Sequence, residues 1–470
     1  MSAGGEELAF AGAARQAEML RRREVSSREL TELHLDRIKR YDPLLNAFRD
    51  VWPERALEAA AEADRRIGAG EEAPLLGVPI ALKDVVQVAG EVTQFGTDAY
   101  DRRAERDSTL VTRLREAGAV IVGRTNLPEL AIHGFTESKA FGITRNPWNR
   151  DRTVGGSSGG SGAAVAAGLV PLAHASDGAG SIRYPAAHNG IFGLKPQRDR
   201  VPIDGEHWHG MTVHGCHGRF VADTALFLDA VTAGPAHSPN APPPPERPFA
   251  DAAATPPGKL RVAVTLKPPR AVAPPHLGDE SKRAVEDTAE LLTSLGHAVE
   301  WHDPDWGGVG NQITARYLGG IAVDIDDVPQ PDRLERLTRG YRPIARIGAP
   351  RWAVRRALRL EATDRERINR VFDDHDVLMT PMTAGPAFEH GRFSRRRTLA
   401  CLLGESRFYP YAVAWNHTGQ PAASVPAGRS AEDLPLAVQI VGRPGDEETL
   451  LSLAAQLESE RPWADRTPAL

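Results

Sequence analysis

Residues 155–168, GGSSGGSGAAVAAG, decide how this chain is read. Glycine and serine by themselves describe a flexible linker. The alanines that follow, Ala163, Ala164, Ala166 and Ala167, argue instead for a closely packed helix stopped by Gly168. A phosphate-binding loop is the other glycine-rich reading, and it lacks the Lys-Ser/Thr pair that grips phosphate and magnesium. Chemistry enters with two more residues, Ser181 in DGAGSIRYPAA (177–187) and Lys83 in GVPIALKD (77–84). A serine hydroxyl attacks an amide only with a base in hydrogen-bond reach. Lysine serves as that base when burial leaves its amine neutral. Glycines before Ser181 let backbone N–H groups turn toward a developing oxyanion, which is usually the largest source of rate in acyl transfer. Two serines and a lysine are thus the parts of a proton relay for cleaving a C–N bond. Spacing alone leaves open whether the three meet.

A rival reading centres on Ser158, because Gly156-Ser157-Ser158-Gly159-Gly160 also satisfies the G-x-S-x-G nucleophile elbow of α/β-hydrolases. That elbow follows a strand directly, whereas the approach here, NPWNRDRTV (146–154), is polar and carries a proline. It also leaves Lys83 and Ser181 without roles.

The pieces fall in the order of a known pattern. GGSSGGSGAAVAAG, ASDGAGS (175–181), IRYPAA (182–187) and GLKP (193–196) resemble the central block of the amidase signature family. The likeness continues in GRTNLPELA (123–131), NPW (146–148), WNHTGQPAASVPAG (415–428) and VQIVGRPGDEETLLSLAAQLE (438–458), and so covers nearly the whole chain. The resemblance implies an α/β fold, the amidase-signature fold, with a central mixed β-sheet flanked by helices on both faces. It implies Lys83 as catalytic base, Ser157 as a bridging serine on a cis peptide bond, and Ser181 as the acylated nucleophile. Backbone N–H groups of Gly178, Ala179, Gly180 and Ser181 would form the oxyanion hole. The implied reaction is hydrolysis of an amide through a serine acyl-enzyme, with no metal and no organic cofactor. Two stretches depart from the pattern. Ala179 stands where a second glycine is usual, and Gly215-Cys216-His217-Gly218 replaces a G-P-L or G-P-M step before Arg219. Both bear on substrate range and leave the triad intact.

Composition narrows the class further. The chain has 470 residues, and 57 Lys+Arg against 62 Asp+Glu give no general footprint for nucleic acid. Cys216 and Cys401 cannot build a disulfide framework and fit a reducing compartment. The first 25 residues interrupt every apolar run with charge, unlike a secretory signal, and no window of about 18 apolar residues suits a membrane span. These features predict a cytoplasmic protein that works without nucleic acid or membrane; the resemblance implies a small-molecule amide as its substrate, and a homodimer is left open.

Along the chain, Ser26-Ser27-Arg28-Glu29 reads as a capping box opening a helix, so residues 1–75 form an N-terminal helical region. LLGVPIALKD (75–84) and AVIVGRT (119–125) read as strands, with the helical STLVTRLREAG (108–118) between them. Residues 76–234 hold the signature core. The Pro-rich run 235–257 predicts a linker or surface excursion, and 258–470 a C-terminal half that completes the same sheet, all within a single domain. KLRVAVT (259–265) restarts the strand pattern, and SKRAVEDTAELLTSLG (281–296) reads as a helix closed by Gly296.

Several conspicuous residues receive ordinary roles. Asp84 competes as a salt-bridge partner for Lys83; Asp177 and Arg183 suit an ion pair fixing the Ser181 loop; Asn126 and Glu129 brace their own loop. His207, His209, His214 and His217 suggest a metal, yet no carboxylate or cysteine completes a site. Trp208 with His207 and His209 reads better as a substrate entrance. Residues 333–372 are rich in arginine, but acidic and apolar residues alternate with them as in solvated amphipathic helices. A glutamine-hydrolysing subunit of an amidotransferase, acyl transfer to an amine, and a noncatalytic scaffold are the alternatives. The complete Lys-Ser-Ser set disfavours the scaffold.

Overall fold

The computed structural model describes residues 3–233, 238–269 and 275–470. Eleven strands form one sheet: β1 (Phe48–Val51), β2 (Pro79–Lys83), β3 (Val120–Thr125), then, after the separate hairpin β4 (Glu137–Ser138) and β5 (Gly142–Ile143), β6 (Leu172–Asp177), β7 (Phe192–Lys195), β8 (Val213–Gly218), β9 (Arg261–Val264), β10 (Ala298–Trp301), β11 (Val377–Pro381), β12 (Ala422–Arg429) and β13 (Pro435–Gly442). Their spatial order is β1-β3-β2-β6-β8-β7-β12-β13-β11-β9-β10. β2 runs parallel to β3 and β6, β9 runs parallel to β10 and β11, and the remaining pairs are antiparallel. The sheet is therefore mixed, and β12 pairing with β7 joins the two halves of the chain.

Alternation within the strands shows why helices cover both faces. Ile80, Leu82, Ile121 and Leu172 join one apolar cluster, which takes in residues of the helices Thr109–Glu116, Val221–Thr232, Asp279–Ser294 and Glu447–Glu460. Their strand neighbours Ala81, Val120, Val122 and Ala173 join a second cluster, with Ala163 to Ala167 and the helices Ser27–Leu45 and Pro53–Gly68. Strand side chains with period two leave no solvent-facing side for β2, whose five residues are all buried. The alanine-rich helix is Gly159–Ala166, wholly buried, and Gly168 follows it at φ +64°. Small residues are required there: a Cβ on Gly160 would lie 2.5 Å from the Ala47 carbonyl oxygen and the Asn126 nitrogen.

The capping box forms as read, with Ser26 and Glu29 bonding each other's backbone. Residues 1–75 are less purely helical than expected, because Phe48–Val51 pairs with β3 as the sheet's edge strand. Of the Pro-rich run, Pro235 to His237 lie outside the described residues. Its remainder is partly ordered: Phe249–Ala253 is a short helix whose Phe249 and Ala252 are buried and whose first amides donate to Asp229. A phenylalanine that finds an apolar seat overrides the prolines around it. No helix among the described residues is long and apolar enough to cross a membrane.

Candidate active site

Lys83 ends β2 between β3 and β6 and is fully buried. Its Nζ donates to Ser157 Oγ at 2.8 Å and to Ser176 Oγ at 2.9 Å. Burial pushes its pKa down to about 7, with the charge of Asp177 pulling partly back. Asp84 does not compete for it. One residue on, it faces the other way, toward Arg124 at 3.0 Å and Arg49 at 3.1 Å.

The Gly156–Ser157 peptide is cis. Ser158, next to it, is fully buried; its hydroxyl donates to the Ser176 carbonyl at 3.1 Å and accepts the Ser176 N–H at 3.2 Å. That ties Ser158 to the backbone of β6.

Ser181 sits on a turn built around the Asp177 carboxylate. Gly180 N–H donates to Asp177 at 2.6 Å and Ile182 N–H at 3.1 Å, while Arg183 bonds both carboxylate oxygens at 2.9 Å and Asn416 adds a bond of 2.8 Å. Burial works against the charge of Asp177, but the Arg183 charge and these hydrogen bonds prevail and hold it well below the usual carboxylate range. The expected ion pair is therefore the core of the loop. Gly180 lies at φ +122°, and a Cβ there would come 2.3 Å from the Tyr184 ring. Ala179 lies outside the left-handed region, so its methyl carries no backbone penalty. The geometry divides the expected oxyanion donors. Gly180's amide is committed to Asp177, whereas the amides of Gly178, Ala179 and Ser181 have no acceptor among the described residues.

Two chambers meet at Ser181, and Trp208 lines both. The smaller, about 140 Å³, is largely apolar, with Ile132, Ala179, Tyr317 and Leu318 in its wall, and also carries His133 and Glu405, which bond each other. The larger, about 360 Å³, includes Ser157, Ser176, Gly178, His207 and His214. Trp208 takes φ +51°, an unusual conformation for a bulky residue, with its indole donating to Asp324 at 2.6 Å. Gly320 makes room for it, since a Cβ on Gly320 would lie 2.7 Å from the Trp208 Cα. His209, expected beside Trp208, lines neither chamber; it borders an adjoining cavity, with Arg316 and Glu361, that shares Glu206 and His207 with the larger chamber.

The other histidines also scatter. His217 Nε2 bonds the Ile182 carbonyl at 2.7 Å, and His214 Nδ1 lies 3.0 Å from His174 Nε2. His174 Nδ1 accepts the Lys83 N–H at 3.3 Å, which leaves Nε2 as the protonated nitrogen and makes His214 Nδ1 its acceptor. Burial pushes the pKa of His174 well down and that of His214 down to about 3, so both imidazoles stay neutral. Among the described residues, one group of His, Cys and acidic side chains comes close enough to share an ion: His133, Cys401 and Glu405. Its members already bond one another, His133 to Glu405 at 2.9 Å, and Gly134 N–H donates to Glu405 at 2.7 Å.

Sequence reasoning missed Ser176, His174, Asn416 and Asp324. Ser176 stood one residue before Asp177 in a quoted motif, and Asn416 in another; only their partners, distant in sequence, give them roles. Asn126 and Glu129 brace as expected, Asn126 donating to the carbonyls of Asn46 and Phe48, and Glu129 accepting the Glu335 N–H.

Comparison with known proteins bears on this geometry. The family model described as Amidase matches residues 29–307 and 331–451. The amidase-named protein AmiB2 of Mycobacterium tuberculosis is 48% identical over 99% of each chain. The 6-aminohexanoate-cyclic-dimer hydrolase of Paenarthrobacter ureafaciens is 35% identical over 97% of this chain and 96% of its own. Among solved structures, 6-aminohexanoate cyclic dimer hydrolase complexed with substrate superposes with a TM-score of 0.88 and 32% identity, over 98% of this chain and 99% of that one.

Proposed function

Because this chain belongs to the amidase family and is an amide hydrolase, we propose that it works through an acyl-enzyme on Ser181, with Lys83 as base and Ser157 as the relay between them. The observation that carries this reading is the buried Lys83 amine, 2.8 Å from Ser157 Oγ, beside a chamber that Ser157 and Ser181 both line. A pKa pushed down to about 7 makes an acceptor of a group that is otherwise an ammonium. In the proposed cycle Ser181 Oγ bonds to the carbonyl carbon as its proton passes through Ser157 to Lys83. The unengaged amides of Gly178, Ala179 and Ser181 take the oxyanion. The C–N bond then breaks, the relay returns the proton to the departing nitrogen, and water releases the acid by the same route. Trp208 and His207 are the proposed substrate contacts, and His209 is withdrawn from that role because it borders another cavity.

A fluorophosphonate tests the assignment directly. The label should map by mass spectrometry to Ser181, vanish in Ser181→Ala and persist in Ser158→Ala. Label on Ser158 that survives loss of Ser181 would overturn it.

A further inference from the structure

The two chambers differ in chemistry as well as size, and the relay opens onto only one of them. Ser157 and Ser176 line the larger chamber and not the smaller; Ala179 lines the smaller and not the larger. On the proposed mechanism, the departing nitrogen must lie where Ser157 can return its proton. The amine half of the substrate therefore occupies the larger chamber, and the acyl half the apolar one.

Four carboxylates, Asp204, Glu206, Asp324 and Asp327, line the amine-side chamber, and its described lining contains no lysine or arginine. Among the described residues, none of the four forms an ion pair with a lysine or arginine within 4.0 Å. Asp204 accepts from the Thr109 N–H and hydroxyl, Asp324 accepts from Trp208 and faces the His207 imidazole, and Glu206 has the His209 imidazole at 4.0 Å and the more distant Arg316 charge. Asp204, Glu206 and Asp327 are exposed at the mouth, and Asp324 lies deeper. Burial, with Asp327's like charge adding, pushes the Asp324 carboxyl up to about 6 against the Trp208 bond. A second feature marks the chamber as built for a polar occupant. His214 is 7% exposed, its Nδ1 accepts from His174, and its Nε2, the N–H donor of that tautomer, has no partner among the described residues and is left for an acceptor on the substrate, such as the amide carbonyl.

Resting on the acyl-enzyme reading above, we propose that the preferred substrates are amides whose departing amine carries a second, protonated amino group, held in this chamber by Asp324 with Asp327, Asp204 and Glu206. A cation there gains from the excess of negative charge, most of it at the mouth and one carboxylate, Asp324, half-buried, while a carboxylate would be repelled. The apolar chamber takes an uncharged acyl group.

The test uses three hexanoyl amides that differ only beyond the scissile nitrogen: those of 1,4-diaminobutane (cationic), n-pentylamine (neutral) and 4-aminobutanoic acid (anionic). Each competes with fluorophosphonate labelling of Ser181 in the full-length protein, so protection is read whether or not the amide turns over. The expected result is an inhibition constant for the cationic amide at least about tenfold below the neutral one, with the anionic amide weakest. That ratio should shrink as salt rises from about 0.02 to 0.5 M, because the mouth carboxylates are screened. Asp324→Asn, which keeps an acceptor for the Trp208 indole, and Asp327→Asn should each narrow it. Equal protection by all three, including none by any, or preference for the anion overturns the substrate assignment while leaving Ser181 as nucleophile. Label that does not reside on Ser181 removes the mechanism on which the assignment rests.

Discussion

At the scale of single residues, Lys83 ties chemistry to pH. Its amine must be neutral to accept a proton, so kcat/KM should fall as pH drops through about 7, the value to which burial lowers it. Stability follows the same group with a definite sign. Between about pH 7 and its ordinary value of roughly 10.4, the unfolded chain binds a proton here that the folded chain does not. Lys83 therefore penalises folding below that window, and the penalty fades as pH rises through it. Lys83→Met should abolish labelling of Ser181 and flatten this part of the stability profile, measured by denaturant unfolding at pH 7 and pH 10. Ser176→Ala removes one of two hydroxyl acceptors that favour the ammonium. Its activity should persist, with the acid limb of the pH–rate profile moved to lower pH; a limb moved upward would mean that Ser176 does not support the charged form.

The next scale is the turn 177–183 and what clamps it. Asp177 organises the turn from within, and the clamp comes from far along the chain. Arg183 donates to the Ala412 carbonyl at 2.9 Å and to Gln439 Oε1 at 2.7 Å, and Asn416 donates to the Asp177 carbonyl and carboxylate. Asp177→Asn leaves Arg183 fully buried without its counter-charge, a change that costs about 3–5 kcal/mol in comparable cases. Asn416→Ala should cost less, about 1–3 kcal/mol, since it strips hydrogen bonds without stranding a charge. Thermal unfolding would rank the two, and both should slow acylation because the turn carries Ser181. This is also where the sequence could be read only in part. The Asp177–Arg183 pair was legible because its members are six residues apart in one motif. Asn416 and Gln439 were visible only as members of distant strings that carry the family resemblance, since nothing local says which turn they reach. His209 misled for a related reason: adjacency to Trp208 in sequence does not survive a backbone with positive φ at both residues.

For the molecule as a whole, the strands were the readable part and their neighbours were not. Buried runs such as PIALK announce a central strand, but only the folded sheet shows that β7 meets β12 across more than two hundred residues of chain. The seam makes the Pro-rich segment dispensable as a covalent link. A single cut between Asn240 and Glu246 should leave two fragments that elute together under native conditions and label at Ser181 like the intact chain. The strand pairing of β7 with β12 and the contacts of Val221–Thr232 with Glu447–Glu460 would hold them together. Separation on a sizing column without denaturant would show that the seam is too weak to replace the peptide bond.

The clamp on the Ser181 turn also bears on the ribosome. Lys83, Ser157 and Ser181 are all made early, yet Ala412, Asn416 and Gln439 are translated more than two hundred residues after Ser181. A nascent chain therefore holds every reactive group through more than two hundred residues of synthesis without the scaffold that aligns them. Chains stopped after residue 400 should resist the fluorophosphonate that labels the full-length protein, so that hydrolytic competence arrives only once β12 and β13 have been made.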